Sequence, residues 1–248
     1  MSDTFAPVTP HGEIEQLFDG IWSVTGSVVF RKPPMRFSRN MTILGHDGEL
    51  TLINTVRLDD AGLAALDALG EVKHIVRIAG FHGMDDPFYA DRYGIGVHCV
   101  EGMVYAKGFE PSAARPDQIY YQPATWIDAE SPLPVPGARL HIIPGKVPEA
   151  LLHLDRDGGI LVVGDALQNW ARADAFFNWP ARIVMKLMGF IKPHNLGPGW
   201  IKGAQPDMAA VRGLLDLDFE HVLPAHGFPV IGGAREKYRP IIEKVTRR

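Results

Sequence analysis

The chain has a single cysteine, no surplus of basic residues and no long apolar run. One cysteine in 248 residues excludes an internal disulfide framework. The 25 Lys and Arg residues are outnumbered by 29 Asp and Glu residues, and the net charge of −4 does not favour nucleic-acid binding. No apolar stretch is long enough to cross a bilayer, and the first residues do not resemble a secretory signal. We therefore expect a cytoplasmic protein in which Cys99 lies buried and unreactive.

The sequence alternates between strand-like and helix-like patterns and contains no internal repeats. His46-Asp47-Gly48 separates two strand-like runs and is typical of a β-hairpin turn. Asp59 precedes an apolar pattern over residues 63–69 and predicts the start of an amphipathic helix. The length and this alternation favour one α/β domain of sandwich type over residues 1–248.

Polar side chains follow four of the predicted strands at the point where each strand ends. The four segments are His82-Gly83-Met84-Asp85-Asp86-Pro87, Pro144-Gly145-Lys146, Gly164-Asp165 and Pro224-Ala225-His226-Gly227. Because α/β proteins place their chemistry at strand ends, these segments predict one polar cleft. Each residue alone also has a structural explanation: Asp86 and Asp165 suit helix N-caps, and His226 suits a turn. Taken together, the four segments favour a site.

In their order and setting, the segments resemble the metal-ligand segments of the metallo-β-lactamase superfamily over nearly the whole chain. This resemblance implies an αββα sandwich. On the family pattern His-x-His-x-Asp-His, His82 and Asp86 match, whereas Met84 and Pro87 stand in place of two ligand histidines.

The later segments match the family pattern only in part. Asp165 matches the bridging aspartate of the family and His226 matches its final histidine. Lys146 replaces another ligand histidine, and Asn54 stands where the family usually has aspartate. The resemblance therefore implies a degraded metal site.

The matching residues imply two unequal metal sites. The first keeps only His82, because Met84 is a poor zinc ligand beside oxygen donors and a protonated lysine does not ligate. The second keeps Asp86, Asp165 and His226, which suit at most one divalent ion such as zinc, iron or manganese. With that ion the protein would be a mononuclear metal-dependent hydrolase.

We favour an interpretation without the two-metal centre and without any cofactor. Lys146 would occupy the place of a lost cation and neutralise Asp86 and Asp165. His82, Lys146 and Asp165 are then the candidates for general acid–base catalysis on a small-molecule substrate. The sequence does not decide whether the protein is an enzyme, and the fold alone does not either.

Residues 168–204 form an aromatic and basic insert directly after Asp165. Residues 182–192 have the pattern of an amphipathic helix, whose simplest role is to cover the core. Two alternatives stay open: the insert walls a pocket for an apolar ligand or lipid, or it contacts a membrane surface, which we do not favour. His194, in a loop over residues 194–199, is a candidate replacement ligand. The sequence does not indicate an oligomeric state.

Overall fold

The strands of the protein form two main sheets. The computed structural model describes residues 5–31, 34–110 and 124–247. The first sheet contains, in spatial order, β1 (Ile14–Phe18), β2 (Ile21–Arg31), β3 (Pro34–His46), β4 (Glu49–Ile53), β5 (Glu71–Arg77), β6 (Val97–Val100) and β7 (Ala124–Ile127). The second contains, in spatial order, β13 (His221–Pro224), β10 (Ile160–Val163), β9 (Glu149–Leu154) and β8 (Ala138–Ile143). A short ribbon pairs β11 (Leu167–Gln168) with β12 (Asn195–Leu196).

Helices connect the strands and cover the sheets. They are α1 (Asp60–Asp67), α2 (Asp86–Tyr93), α3 (Trp179–Leu187), α4 (Pro198–Ala204), α5 (Met208–Gly213) and α6 (Ala234–Thr246). None of them, within the described ranges, is both long enough and apolar enough to cross a bilayer.

The strand β10 shows why both faces of the second sheet are covered. Its side chains alternate between faces, as the pleat of a strand requires. Ile160 and Val162 belong to a core shared with the first sheet, whereas Leu161 and Val163 belong to a core shared with helices α4 to α6. Leu63 of α1 packs into the core of the first sheet. The layers therefore follow the order helix, sheet, sheet, helix, which confirms the predicted sandwich.

The hairpin turn, the helix cap and the crossover predicted for the first sheet are present in the structure. Asp47 and Gly48 both have positive φ, 49° and 80°, as a tight hairpin turn between β3 and β4 requires. The Asp59 side chain accepts a hydrogen bond from the Gly62 N–H at 2.8 Å and caps α1. The strand β5 then pairs in parallel with both β4 and β6, with α2 as the crossover to β6. This arrangement places the His82 segment at the end of β5.

The insert differs from its predicted boundaries. Its helix, α3, starts at Trp179 and ends at Leu187, so it begins three residues earlier and ends five residues earlier than the helix predicted over residues 182–192. Asn178 caps it by accepting from the Ala181 N–H at 3.1 Å. The predicted loop at residues 194–199 is instead the strand β12 followed by the start of α4. Neither β1 nor β7 was predicted from the sequence.

Candidate metal centre

Three of the four predicted segments converge at one edge of the sandwich. His82 follows β5, Asp165 follows β10 and His226 follows β13. A glycine allows the two sheets to approach here: a Cβ on Gly164 would lie 2.6 Å from the Cβ of Ala79. Because no other residue fits at that distance, Gly164 sets how closely Asp165 approaches the His82 segment.

Hydrogen bonds to backbone carbonyl groups hold the loop that carries His226 in one conformation. The Asn40 side chain donates to the carbonyl oxygens of Pro224 at 2.8 Å and Gly227 at 2.6 Å. The Asn169 N–H donates to the His226 carbonyl oxygen at 2.9 Å. Gly227 has a φ of 92°, and a Cβ there would overlap the backbone of Asn169. The loop is therefore pinned on both sides of the imidazole.

His82, Asp165 and His226 form a tight cluster of donor atoms. The two imidazole Nε2 atoms are 3.1 Å apart, and Asp165 lies 3.0 Å from His226 Nε2 and 3.5 Å from His82 Nε2. The ligand atoms all lie within 4.8 Å of one another, and residues 5–31, 34–110 and 124–247 contain no other group of this kind. Each side chain is at most 13% exposed, so little water separates them.

The backbone of Ser38 determines which nitrogen of His226 carries the proton. His226 Nδ1 lies 3.1 Å from the Ser38 carbonyl oxygen, and a carbonyl oxygen only accepts. Nδ1 is therefore a donor. In the neutral imidazole the Nε2 lone pair then faces Asp165 and His82, whereas in the imidazolium Nε2 donates to Asp165. Trp170 supports this arrangement: its Nε1 donates to Ser38 Oγ at 2.8 Å, and its ring centroid lies 4.7 Å from that of His226. A hydrogen-bonded second nitrogen is the usual way in which proteins orient a ligand histidine.

The cluster is electron-rich. Burial raises the pKa of Asp165, but attraction to His82 and hydrogen bonds from His226 and His82 outweigh burial and lower that pKa, which requires that a proton on the imidazoles faces the carboxylate. Burial lowers the pKa of His82, against the attraction of Asp165, so this imidazole is held neutral.

A second carboxyl group, Glu149, lies next to this charge. Burial and then the charge of Asp165 raise its pKa, which keeps Glu149 a neutral acid. Its Oε1 accepts from the Ala166 N–H at 2.5 Å, one residue beyond Asp165. It adds no negative charge to the cluster.

The other acidic residues of the His82 segment are satisfied within the protein. Asp85, only 1% exposed, forms an ion pair with the buried guanidinium of Arg39 and accepts from the Arg57 N–H at 2.8 Å. Asp86 is fully buried and accepts from the Thr55 hydroxyl. Their charges and lone pairs are thus directed away from the cluster.

The cluster lies at the base of an apolar cavity of about 330 Å³. Aromatic rings and thioethers dominate its walls, and they come from the first sheet, from the loops after β5 and β6, and from the insert. The larger apolar side chains that line it are Phe30, Met35, Phe37, Phe81, Met84, Phe109, Trp170, Met185, Met188, Phe190 and Trp200. A pocket with apolar walls and a few converging polar groups is the usual form of a small-molecule site.

The donor set fits one divalent ion. Two imidazole nitrogens and one carboxylate, with a lone pair on His226 Nε2 that faces another acceptor, form an arrangement that a cation would stabilise. Three protein ligands leave coordination positions open, as in catalytic zinc sites. The three donors do not suffice for two ions.

Comparison with known proteins identifies the fold and leaves the activity open. No family model matches the chain, and no curated protein sequence matches it. Solved structures do. The metallo-β-lactamase DIM-1, studied after exposure to ceftazidime, has 12% identity and a TM-score of 0.65 over 96% of this chain and 100% of its own.

Two further structures agree over almost the same span. A metallo-β-lactamase from Hirschia baltica has 15% identity and a TM-score of 0.58 over 93% of this chain and 97% of its own. FIM-1 from Pseudomonas aeruginosa, in its mono-zinc form, has 15% identity and a TM-score of 0.57 over 99% of both chains. This protein has the metallo-β-lactamase fold. At such low identity, the likeness concerns the fold alone.

Within the metallo-β-lactamase fold, the predicted site residues separate into two groups. His82, Asp165 and His226 come together as described. Asp86 accepts from the Thr55 hydroxyl and is not among the three residues whose ligand atoms lie within 4.8 Å of one another. The predicted metal set of Asp86, Asp165 and His226 thus shares two residues with the group that the structure brings together.

Lys146 is also absent from the cluster. Its side chain is exposed on the loop after β8, and it forms no ion pair with a carboxylate among the residues that the structure describes. In this structure Lys146 therefore does not neutralise Asp86 and Asp165 as predicted. His194 is directed elsewhere too: its ring lies against Tyr238, with 5.6 Å between the ring centroids.

Sequence reasoning missed three residues that organise the site. Arg39, Ser38 and Glu149 each have a role in its geometry or charge. Two of them carried a signal: Arg39 is a cation inside a strand, and Glu149 is an acid at the start of an otherwise apolar run. Ser38 carried none, because it acts through its backbone carbonyl group.

Proposed function

We propose that this protein is a hydrolase that holds a single divalent ion with His82, Asp165 and His226 and acts on a substrate with a large apolar group. The single observation that carries the proposal is the approach of His226 Nε2 to Asp165 at 3.0 Å while Nδ1 donates to Ser38. When His226 is neutral, its Nε2 lone pair faces the Asp165 carboxylate, and two such acceptors are costly to bury unless a cation or proton lies between them.

The metal set differs from the metal-free interpretation that the sequence favoured. That interpretation depended on Lys146 as a built-in cation, and the exposed position of Lys146 removes its support. The absence of a two-metal centre remains part of the proposal, because three donors serve one ion. Zinc, iron and manganese are the candidates, since imidazole and carboxylate suit all three.

The residues of the site have separate roles in the proposed reaction. His82, Asp165 and His226 hold the ion, and Ser38 orients His226 through its carbonyl group. The bound ion would supply a Lewis acid and a water of lowered pKa. The aromatic walls would hold the apolar part of the substrate and exclude bulk water from the scissile bond.

Metal content tests the proposed ligands directly. The protein is purified without chelators, reloaded with zinc, iron or manganese, and measured by elemental analysis. We expect one ion per chain, and a loss of affinity of more than about 100-fold in Asp165→Asn and His226→Ala, since changes even to the partners of metal ligands cost about 10–100-fold. The matched control is Asp86→Asn, which should keep the ion. An unloaded wild-type protein, or equal loss in the control, would contradict the proposal.

Turnover tests the substrate class and separates this proposal from a second candidate. p-Nitrophenyl acetate and octanoate are compared, with nitrocefin included because the structural neighbours are named β-lactamases. We expect kcat/KM for octanoate to exceed that for acetate by about tenfold or more, because the apolar walls reward a longer chain.

The apolar cavity by itself also suits a binding protein without catalysis, the second candidate. Such a protein would bind octanoate, with or without metal, and turn over neither ester. Turnover that the metal restores and Asp165→Asn abolishes would exclude it.

A further inference from the structure

The helix α3 presents an unusual apolar surface. Of the eight large apolar side chains that are exposed in the described part of the chain, four lie on or next to α3. They are Trp179, 74% exposed, Ile183, 50%, Leu187, 83%, and Met188, 60%. We call Trp179, Ile183 and Leu187 the apolar face of α3; Met188 directly follows the last residue of the helix. Scattered exposed apolar residues are normal, but a contiguous group marks an interaction surface.

This face is a regular and anchored feature of the helix. Trp179, Ile183 and Leu187 follow one another at intervals of four and therefore lie on one side of α3. The opposite side packs inward through Ala181 and Met185, which are buried. The start of α3 is tied to β3, because Asn178 exchanges hydrogen bonds with the Arg36 backbone at 3.0 and 3.1 Å. The exposed side chains are held outward by these contacts.

Basic residues surround the apolar face. Arg182, Lys186 and Lys192 are all exposed, and none forms an ion pair with a carboxylate within the described ranges. The insert at residues 168–204 carries five basic residues and one acidic residue, although the whole chain has a net charge of −4. The insert therefore has a net positive charge, opposite in sign to that of the whole chain.

We propose that the apolar face of α3 binds to the surface of an anionic lipid membrane. An amphipathic helix with aromatic and aliphatic residues on one side and Lys or Arg beside them is the pattern of helices that lie in the membrane interface. Anionic headgroups attract the three cations, while the apolar side chains enter the boundary of the acyl chains. A second copy of this chain fits less well, because it would bring the same cations against each other.

The membrane surface and the cavity share a wall. Met188, at the end of α3, is both exposed and part of the cavity lining, and Met185 on the inner side of α3 lines the cavity as well. A protein bound through this face has the rim of its cavity at the lipid boundary. This would let an apolar ligand pass between membrane and cavity without crossing water. The binding itself does not depend on the metal centre and is tested without it.

Vesicle co-sedimentation tests the surface. The full-length protein is mixed with vesicles of phosphatidylcholine alone or of equal parts phosphatidylcholine and phosphatidylglycerol, at low and high salt. We expect partitioning onto the anionic vesicles to exceed that onto the neutral ones by about tenfold or more, and to weaken at high salt. Ile183→Glu with Leu187→Glu should lower partitioning by about tenfold or more.

A matched control separates the helix face from general apolar exposure. Ile231 is 51% exposed, like Ile183, but lies away from α3, so Ile231→Glu should leave partitioning unchanged. Thermal melts check that all variants fold. Equal partitioning onto neutral vesicles, no partitioning, or an equal loss in Ile231→Glu would overturn the proposal. Concentration-dependent dimerisation that Ile183→Glu abolishes, without vesicle binding, would assign the face to a second copy instead.

Discussion

Asp85 and Asp165 are both carboxylates on segments that follow strands, but their partners differ in kind. Asp85 faces the guanidinium of Arg39 and a backbone N–H, whereas Asp165 faces two imidazoles. We call Arg39, Thr55, Asp85 and Asp86 the closed half of the site, because donors of the protein satisfy its carboxylates. We call His82, Asp165 and His226 the open half, because its acceptor atoms face one another.

The two halves differ in whether the chain itself supplies a cationic partner for the carboxylate. In the closed half, the positive charge that balances the carboxylates is built into the chain, through Arg39 of β3. In the open half the ion-pair partners of Asp165 among the described residues are the two imidazoles alone, and Lys146 is exposed. The donor atoms that converge in the structure therefore lie in the open half alone.

Removing the internal cation should give the largest effect on stability. Arg39→Met preserves side-chain length but leaves Asp85 as a buried charge without its ion pair, which costs about 3–5 kcal/mol of unfolding free energy. Urea unfolding measures the loss. Arg239→Met is the control, because Arg239 pairs with Glu236 at 2.8 Å on the surface and such pairs contribute about 1 kcal/mol or less. Equal losses in the two variants would show that the closed half does not depend on the ion pair.

Adding one methyl group between the sheets should disturb the open half. Gly164→Ala places a Cβ 2.6 Å from that of Ala79, and overpacking of this kind costs about 1–3 kcal/mol. Because Asp165 must shift away from His82, metal affinity should fall as well. Elemental analysis and urea unfolding report the two effects. Gly213→Ala, where a Cβ meets nothing within 4 Å, should change neither; a Gly164→Ala protein that binds metal normally would argue against the close approach.

Removing the hydroxyl group next to Asp86 should give the smallest effect and act on the closed half alone. Thr55→Val deletes the hydrogen bond to Asp86 and costs about 1–2 kcal/mol of unfolding free energy. Metal content should stay at the wild-type level, because Asp86 is not among the donors. Thr246→Val, at a half-buried hydroxyl that bonds its own helix, is the control and should cost less. A loss of metal in Thr55→Val would mean that the halves are coupled.

Much of the fold was predictable from local signals. The Asp47-Gly48 turn, the cap at Asp59 and the βαβ crossover were read from the chain because a few neighbouring residues determine each of them. The edge strands β1 and β7 were missed, because short strands at the edge of a sheet depend on pairing with distant segments. The single-domain organisation over residues 1–248 stays a prediction.

The candidate site was predictable in part. The sequence marked His82, Asp165 and His226 because each follows a strand that carries its own apolar signal. It also marked Asp86 and Lys146, which the fold directs elsewhere. A side chain's direction depends on the exact turn after its strand and on what packs there, and neither is visible in spacing along the chain.

The sequence by itself determined the sandwich of sheets and helices and the strand ends at which polar groups collect, since periodicity and turn residues are local properties. Only the tertiary structure decided which polar groups share a cavity. Arg39, more than forty residues before Asp85, supplies the internal cation, and the Ser38 carbonyl group sets the tautomer of His226 from across the sandwich. Both contacts join residues far apart in sequence, and such contacts exist only once the sheets have packed.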